Sequence, residues 1–145
     1  MTRIVGIDYG KRRVGFATSD ELDRLAIPHA TVEVQDLDDA VAVSCRVARE
    51  KTAARFVVGL PLNMDGSRGD MAKEVEEFVR RLGERSGLPV NVWDERLSSG
   101  LVDRMLVDAD VSRNRRKQVR DKLAAQVILQ GYLDSKCHET LESNR

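Results

Sequence analysis

The stretch Ile4-Val5-Gly6-Ile7-Asp8-Tyr9-Gly10 decides the fold of this chain. Its apolar half is typical of a buried β-strand, and the Asp-Tyr-Gly that follows is typical of a turn. The apolar pattern resumes over residues 14–17, directly after the basic turn, so the two segments predict a hairpin. Residues 26–34 are rich in β-branched side chains and predict a third strand beside that hairpin.

Three helices are predicted from apolar residues at helical spacing. These residues are Val41, Cys45 and Ala48; then Met71, Val75, Phe78, Val79 and Leu82; and finally Ala124, Val127, Ile128, Gly131 and Tyr132. Asp36 is a favourable N-cap for the first helix, and Gly87 is expected to end the second. Ser98 or Ser99 is expected to cap a further helix before the last one.

Two more strands, over residues 56–60 and 90–93, alternate with these helices. An antiparallel hairpin extended by strand-helix-strand units predicts an α/β fold. We expect a five-stranded mixed sheet, its first three strands antiparallel, with helices on both faces. Residues 1–134 are expected to form one domain, and residues 135–145 a polar C-terminal tail.

The composition limits the classes of function. With 145 residues, 41% of them hydrophobic and 33% charged, the chain suits one globular domain. A net charge of zero argues against a general nucleic-acid-binding protein, although basic residues crowd into 113–122. The two cysteines fit no metal-ligand spacing, and no apolar run is long enough for a membrane span. We therefore expect a cytoplasmic protein that does not act at a membrane.

Three carboxylates adjoin segments that should be buried. Asp8 ends the first strand, Glu95 follows the last strand, and Asp121 heads the final helix on its apolar face. Acids that converge from separate elements can hold Mg²⁺ or Mn²⁺ against a phosphodiester. Asp94 and Glu95 must point to opposite faces of the strand, so only one of them can face such a site.

Each acid also has a purely structural explanation. Asp8 could close an Asx turn, and Glu95 could form a surface ion pair with Arg96. Asp121 could be a first-turn acid that is favoured by the helix dipole. The sequence alone leaves both interpretations open.

Phosphate contacts are predicted in three places. The loop over residues 63–69 runs from a strand end to a helix N-terminus, where Ser67, Arg68 and backbone N–H groups could meet an anion. In the basic turn after Asp8, the predicted contacts are Lys11 and Arg12. In the segment before Asp121, they are Arg115, Arg116 and Lys117. The alternatives are that residues 63–69 form an ordinary loop and that the basic segment before Asp121 is a solvated face.

Four segments resemble the motifs of the YqgF family, in that family's order. They are Gly6 to Gly15, Val58 to Gly66, Asp94 to Ser98, and Asp121 to Gln130. The resemblance implies a fold like ribonuclease H and like the Holliday-junction resolvase RuvC. It also implies a bacterial cytoplasmic nuclease, associated with maturation of the 5′ end of the 16S ribosomal RNA precursor or, in an older assignment, with Holliday junctions. Carried over by motif, Asp8, Glu95 and Asp121 would bind the metal ions.

Four functions follow from these observations. The leading one is a Mg²⁺- or Mn²⁺-dependent nuclease that acts on RNA, as a monomer or a homodimer. The same chemistry on four-way DNA junctions would require a dimer with two sites. A phosphate-binding fold of the sugar-kinase type would need two domains, for which 145 residues are too few. A non-catalytic ribosome- or transcription-associated binding protein is the last alternative.

Overall fold

The computed structural model describes residues 3–97 and 123–136. Its five strands are β1 (Arg3–Asp8), β2 (Arg13–Ser19), β3 (Ala26–Glu33), β4 (Ala53–Leu60) and β5 (Val90–Asp94). They form one sheet in the order β3-β2-β1-β4-β5. The pairs β1–β2 and β2–β3 are antiparallel, whereas β4 is parallel to both β1 and β5. The predicted mixed sheet, with its first three strands antiparallel, is confirmed.

Helices lie on both faces of this sheet, as predicted. Helices α1 (Leu37–Lys51) and α2 (Asp70–Ser86) pack on one face, and α3 (123–136) packs on the other. A short 3₁₀ helix (Glu95–Leu97) follows β5. The helix predicted after Ser98 or Ser99 lies outside the described residues. Within residues 3–97 and 123–136, no helix is long and apolar enough to span a bilayer.

The ends of α1 and α2 follow the predicted capping chemistry. Asp36 caps α1, and its side chain accepts a hydrogen bond of 2.8 Å from the backbone N–H of Asp39. Gly87 ends α2 with a φ of 72°, a left-handed conformation that glycine adopts without a steric penalty. Val41, Cys45 and Ala48 are buried on α1, and Phe78 packs its ring 4.8 Å from that of Tyr9 on the sheet.

Helix α3 approaches the sheet closely because a glycine lies beneath it. A Cβ atom on Gly6 of β1 would lie 2.7 Å from Cβ of Leu129 and 3.1 Å from the carbonyl oxygen of Ala125. Such separations are below normal van der Waals contact, so a side chain at this position would push the helix outward.

The buried face of α3 is rotated from the predicted one. Ile128 and Tyr132 are buried as predicted, but Ala124, Val127 and Gly131 are only partly buried. The other buried residues are Ala125, Leu129 and Leu133. The prediction was wrong here because the glycines of the sheet leave room for larger side chains, and this room favours burial of the leucines.

Two glutamines hold α3 against the start of β3. Gln130 Oε1 accepts from the backbone N–H of Ala26 at 2.8 Å, and its Nε2 donates to the carbonyl oxygen of Arg24 at 2.9 Å. Gln126 Nε2 donates to the carbonyl oxygen of Ala26 at 3.1 Å. These bonds fix the position of α3 along the sheet. The helix continues through residue 136, so it includes the first two residues of the predicted 135–145 tail.

Candidate active site

Asp8 and Glu95 meet at one edge of the sheet, across the end of β4. Because β1, β4 and β5 are parallel, their carboxyl ends lie at the same edge. Asp8 is the last residue of β1, and Glu95 directly follows β5. Between them lies Gly59 of β4, where an added Cβ would be 2.6 Å from Glu95 Oε1. The missing side chain of Gly59 therefore gives the Glu95 carboxyl group its place beside Asp8.

The two carboxyl groups perturb each other. Burial, with the charge of Asp8 and a hydrogen bond to Asp8 as further causes, raises the pKa of Glu95 to about 7. A like charge and an apolar environment both disfavour the ionised form. Below about pH 7, Glu95 therefore holds a proton that it donates to Asp8, and a divalent cation at this point would relieve the repulsion once that proton leaves.

Asp94 points away from this pair. It forms an ion pair of 2.7 Å with Arg96, and hydrogen bonds from Arg96 hold its pKa below the ordinary value. The two acids thus have different partners: Asp94 ends β5 and binds Arg96, whereas Glu95 begins the 3₁₀ helix and faces Asp8. The alternative prediction, a surface ion pair between Glu95 and Arg96, is not what the structure shows, since Arg96 binds Asp94.

Helix α3 borders the acid pair. A Cβ atom on Gly15 of β2 would lie 3.7 Å from Cβ of Asp8 and 3.8 Å from Cβ of Ala125, so α3 lies close to the end of β1. Asp121, the third predicted acid, precedes Ala125 by four positions in the sequence and lies outside the described residues. Arg115, Arg116 and Lys117 lie outside them as well.

The acid pair has the donor chemistry that Mg²⁺ and Mn²⁺ prefer, namely carboxylate oxygens. Within residues 3–97 and 123–136, no group of three or more His, Cys, Asp or Glu side chains is arranged to hold a metal ion. Two carboxyl groups, at Asp8 and Glu95, are therefore what the described residues contribute to such a site.

The residue after Asp8 is anchored on the opposite face of the sheet. Tyr9 is buried, and its hydroxyl donates a hydrogen bond to the carboxylate of Glu74 on α2. Burial, the charge of Glu74 and this bond raise the pKa of Tyr9 to about 12. Because Tyr9 is held on the face of the sheet that α1 and α2 cover, Asp8 is directed to the opposite face, which α3 covers. Nothing in the sequence relates Tyr9 to a helix residue 65 positions later, so this contact has no sequence signal.

The loop over residues 63–69 is held by its own hydrogen bonds. Ser67 Oγ donates to Asp65 at 2.6 Å and accepts from Asn63 Nδ2 at 3.0 Å. Arg68 forms an ion pair of 3.0 Å with Glu76 on α2. Both predicted phosphate contacts in this loop thus have partners within the protein. The other predicted pair in the described residues, Lys11 and Arg12, is exposed in the turn that follows Asp8.

Arg96 connects this loop to Asp94 at the end of β5. Besides its bond to Asp94, its Nη1 donates to the carbonyl oxygens of Met64 at 3.3 Å and Asn63 at 3.5 Å. The spacing of Asp94 and Arg96 in the sequence is a signal for their pairing. The contact with a loop more than 30 residues away has no such signal.

Nearly the whole chain is similar in sequence to a known protein family and to individual proteins of bacteria. The family described as RuvX, Holliday junction resolvase, matches residues 2–135. A protein of Symbiobacterium thermophilum described as "Putative pre-16S rRNA nuclease" is 45% identical over 97% of this chain and 98% of its own length. A protein of Syntrophomonas wolfei with the same description is 44% identical over 91% of this chain and 94% of its own length.

A solved structure supports the fold independently. Thermus thermophilus RuvC in complex with Holliday junction substrate matches with a TM-score of 0.57 at 14% identity, covering 94% of this chain and 96% of that chain. At that identity the likeness concerns the fold, which is of the ribonuclease H type predicted from the sequence. From the sequence match over residues 2–135, the chain belongs to the RuvX family, the family that also bears the name YqgF.

Proposed function

We propose that this chain is a nuclease that hydrolyses phosphodiester bonds with Mg²⁺ or Mn²⁺. The observation that carries the proposal is the hydrogen-bonded pair of Asp8 and Glu95 at the carboxyl edge of the sheet, with the pKa of Glu95 raised to about 7. A polar pair with a strongly perturbed pKa, next to strand ends, is typical of a catalytic site. Membership of a nuclease family supports the same reaction class.

Asp8, Glu95 and Asp121 would hold the metal ions in this mechanism. When bound, divalent metal would lower the pKa of the attacking water and stabilise the leaving oxygen. Asp8 would contribute carboxylate oxygens. Glu95 must first lose the proton that it shares with Asp8, so metal binding and deprotonation are coupled. Gly59, which has no side chain, leaves the room that the Glu95 carboxyl group occupies beside Asp8.

Ribosomal RNA precursor is the substrate that we favour. Relatives that are 45% and 44% identical over nearly the whole chain carry the description of pre-16S rRNA nucleases. We therefore propose that the chain processes the 5′ end of the 16S precursor in ribosome biogenesis, in the cytoplasm. Lys11 and Arg12, beside Asp8 in the sequence, and the residues at 115–117 would bind the RNA backbone. Ser67 and Arg68 are weaker candidates, because Asp65 and Glu76 already bind them.

A Holliday-junction resolvase is the second candidate, and the description of the matching family favours it. That reaction cuts two strands of a four-way junction, so it requires two acid sites in one assembly. A homodimer would supply them, whereas cleavage of an RNA precursor requires one site and is compatible with a monomer.

Cleavage by the purified chain tests the proposal. We expect cleavage of end-labelled 16S precursor RNA with Mg²⁺ or Mn²⁺ and loss of it in EDTA. Asp8→Asn should abolish cleavage and leave most RNA binding intact, because the substitution removes a metal-binding charge and barely alters volume. Asp38→Asn removes an exposed acid of α1 and serves as the matched control, which should cut normally.

The outcomes separate the candidates. Symmetric cutting of a four-way DNA junction, with intact precursor RNA, would assign the resolvase activity. Cleavage by Asp8→Asn at the wild-type rate would leave Asp8 as a turn residue. Tight RNA binding without cleavage under any metal condition would indicate a non-catalytic binding protein.

A further inference from the structure

A cavity lies at the opposite end of the sheet from the acid pair. It has a volume of about 460 Å³ and is lined by residues of the last turns of α1 and α2 and of the segments that follow them. Strand β4 begins beside it with Ala53 and ends with Leu60 near Glu95. At about 3.3 Å per residue, the strand separates the two places by roughly 23 Å. The cavity is therefore not part of the acid site.

Two arginines that form no ion pair with any described residue line this cavity. Arg46, Arg80 and Arg81, the other arginines of α1 and α2, all form ion pairs with acids. In the described part of the chain, Arg49 and Arg85 form none. A guanidinium group without an acid partner keeps its full set of donors for an anion.

The charges of both arginines act on the same side chain within the cavity. Burial raises the pKa of the Cys45 thiol, while the positive charges of Arg85 and Arg49 act in the opposite direction. Cys45 is 6% exposed and lines the cavity, so the two guanidinium groups lie around one common region. The hydroxyl groups of Thr52 and Ser86 add polar groups beside them.

The net local charge favours an anion, even though the C-termini of α1 and α2 carry partial negative charge. Each helix C-terminus contributes about half a negative charge, whereas each guanidinium contributes one full positive charge. The sum is positive by roughly one charge. The cavity also exceeds what a bare inorganic anion needs, and its volume falls within the range of small-molecule sites. Leu88 and the alanines of the lining supply apolar surface for the rest of a ligand.

We propose that this cavity binds a phosphorylated ligand of about mononucleotide size, with Arg49 and Arg85 holding the phosphate. The phosphate could belong to a free nucleotide or to a nucleic-acid chain. Binding here is independent of the acid pair, so the proposal does not rest on the nuclease activity.

Calorimetric titration of the full chain with AMP, with inorganic phosphate and with a short RNA tests this site. We expect AMP to bind, adenosine not to compete with it, and Arg49→Gln/Arg85→Gln to weaken AMP at least about tenfold, because two charge-assisted contacts are lost. Lys51→Gln is the matched control, because Lys51 is also a basic residue of the last turn of α1 but does not line the cavity. Its affinity for AMP should change less than about twofold.

The measurements distinguish the sources of the phosphate. If the site serves a nucleic-acid chain, AMP binds weakly and the arginine variant weakens the short RNA and flattens its salt dependence. The proposal would be overturned if the binding of AMP, of phosphate and of RNA did not depend on Arg49 and Arg85. An equal loss of AMP affinity in Lys51→Gln would also overturn it, because the effect would then reflect only the overall charge of the protein. Asp8→Asn should bind AMP normally, so a failed nuclease proposal would leave this result unchanged. Single Arg85→Gln serves as a second variant if the double one does not fold.

Discussion

Replacing Asp8 by Asn should stabilise the metal-free protein at alkaline pH and leave it nearly unchanged at acid pH. The pKa of Glu95 is about 7 in the fold, against an ordinary value of 4.5. Because the folded state holds this proton more tightly than the unfolded state, the stabilising contribution is fully present below pH 4.5. It is lost as the pH rises through 7.

The size of this loss follows from the pKa values. A pKa difference of about 2.5, at about 1.4 kcal/mol for each pKa unit, gives a loss on the order of 3 kcal/mol between pH 4.5 and pH 8. Burial is the largest cause of the raised pKa and remains in the variant, so only part of the loss is recovered. We expect Asp8→Asn to gain about 1 kcal/mol at pH 8, because Asn has no charge and can donate a hydrogen bond to ionised Glu95.

Urea unfolding in EDTA measures this effect, with the fluorescence of the single tryptophan, Trp93, as the signal. The decisive quantity is the stability difference between variant and wild type at pH 8, minus the same difference at pH 5. For Asp8→Asn it should be positive. For the control Asp38→Asn it should be close to zero, because the side chain of Asp38 is 79% exposed. An equal change at both pH values in Asp8→Asn would refute the coupling between Asp8 and Glu95.

Three further predictions concern packing and binding. Gly59→Ala should destabilise the protein by about 1–3 kcal/mol in a urea melt and reduce cleavage, since its Cβ would collide with Ile128 Cδ1. Gly83→Ala is the control and should be neutral or stabilising, because its Cβ would meet only Val90 Cγ2, at an ordinary contact distance of 3.8 Å. Gln130→Ala should cost about 1–3 kcal/mol by leaving the buried N–H of Ala26 unpaired, and an unchanged unfolding midpoint would contradict this. Changing residues 115–117 to Gln should flatten the log–log salt dependence of RNA binding by roughly 0.7 for each lost contact, whereas an unchanged slope would indicate a solvated face.

The periodicity of the sequence predicted most of the fold. Apolar runs of strand length and turn residues located all five strands, and capping chemistry placed the ends of α1 and α2 at Asp36 and Gly87. Such signals are local, because they depend on residues a few positions apart. The mixed character of the sheet, with its first three strands antiparallel, also followed, since hairpins pair neighbouring strands and parallel strands need helical connections.

The rotation of α3 and the partners in the 63–69 loop could not be predicted in this way. They depend on which residues lie opposite one another across the fold. Leu129 is buried because Gly6 lies under it, and Arg68 binds Glu76 because the loop folds back on α2. For the acids, strand alternation predicted that Asp94 and Glu95 diverge. The alternation does not say which of these two acids is directed toward Asp8. That is evident only from the contacts in the folded protein.

Glycines on the α3 face of the sheet connect packing with chemistry. Gly6 admits Leu129 of the helix, and Gly59 admits both Ile128 and the carboxyl group of Glu95. The separation of Asp8 from Glu95 is therefore set by the missing side chain of a central strand, which is more rigid than any loop at the sheet edge. Carboxylates that repel each other stay together only if rigid elements hold them there, and a bound divalent cation then gains the energy of the relieved repulsion. The close packing of α3 and the metal affinity that we propose for the acid pair thus depend on the same strand positions.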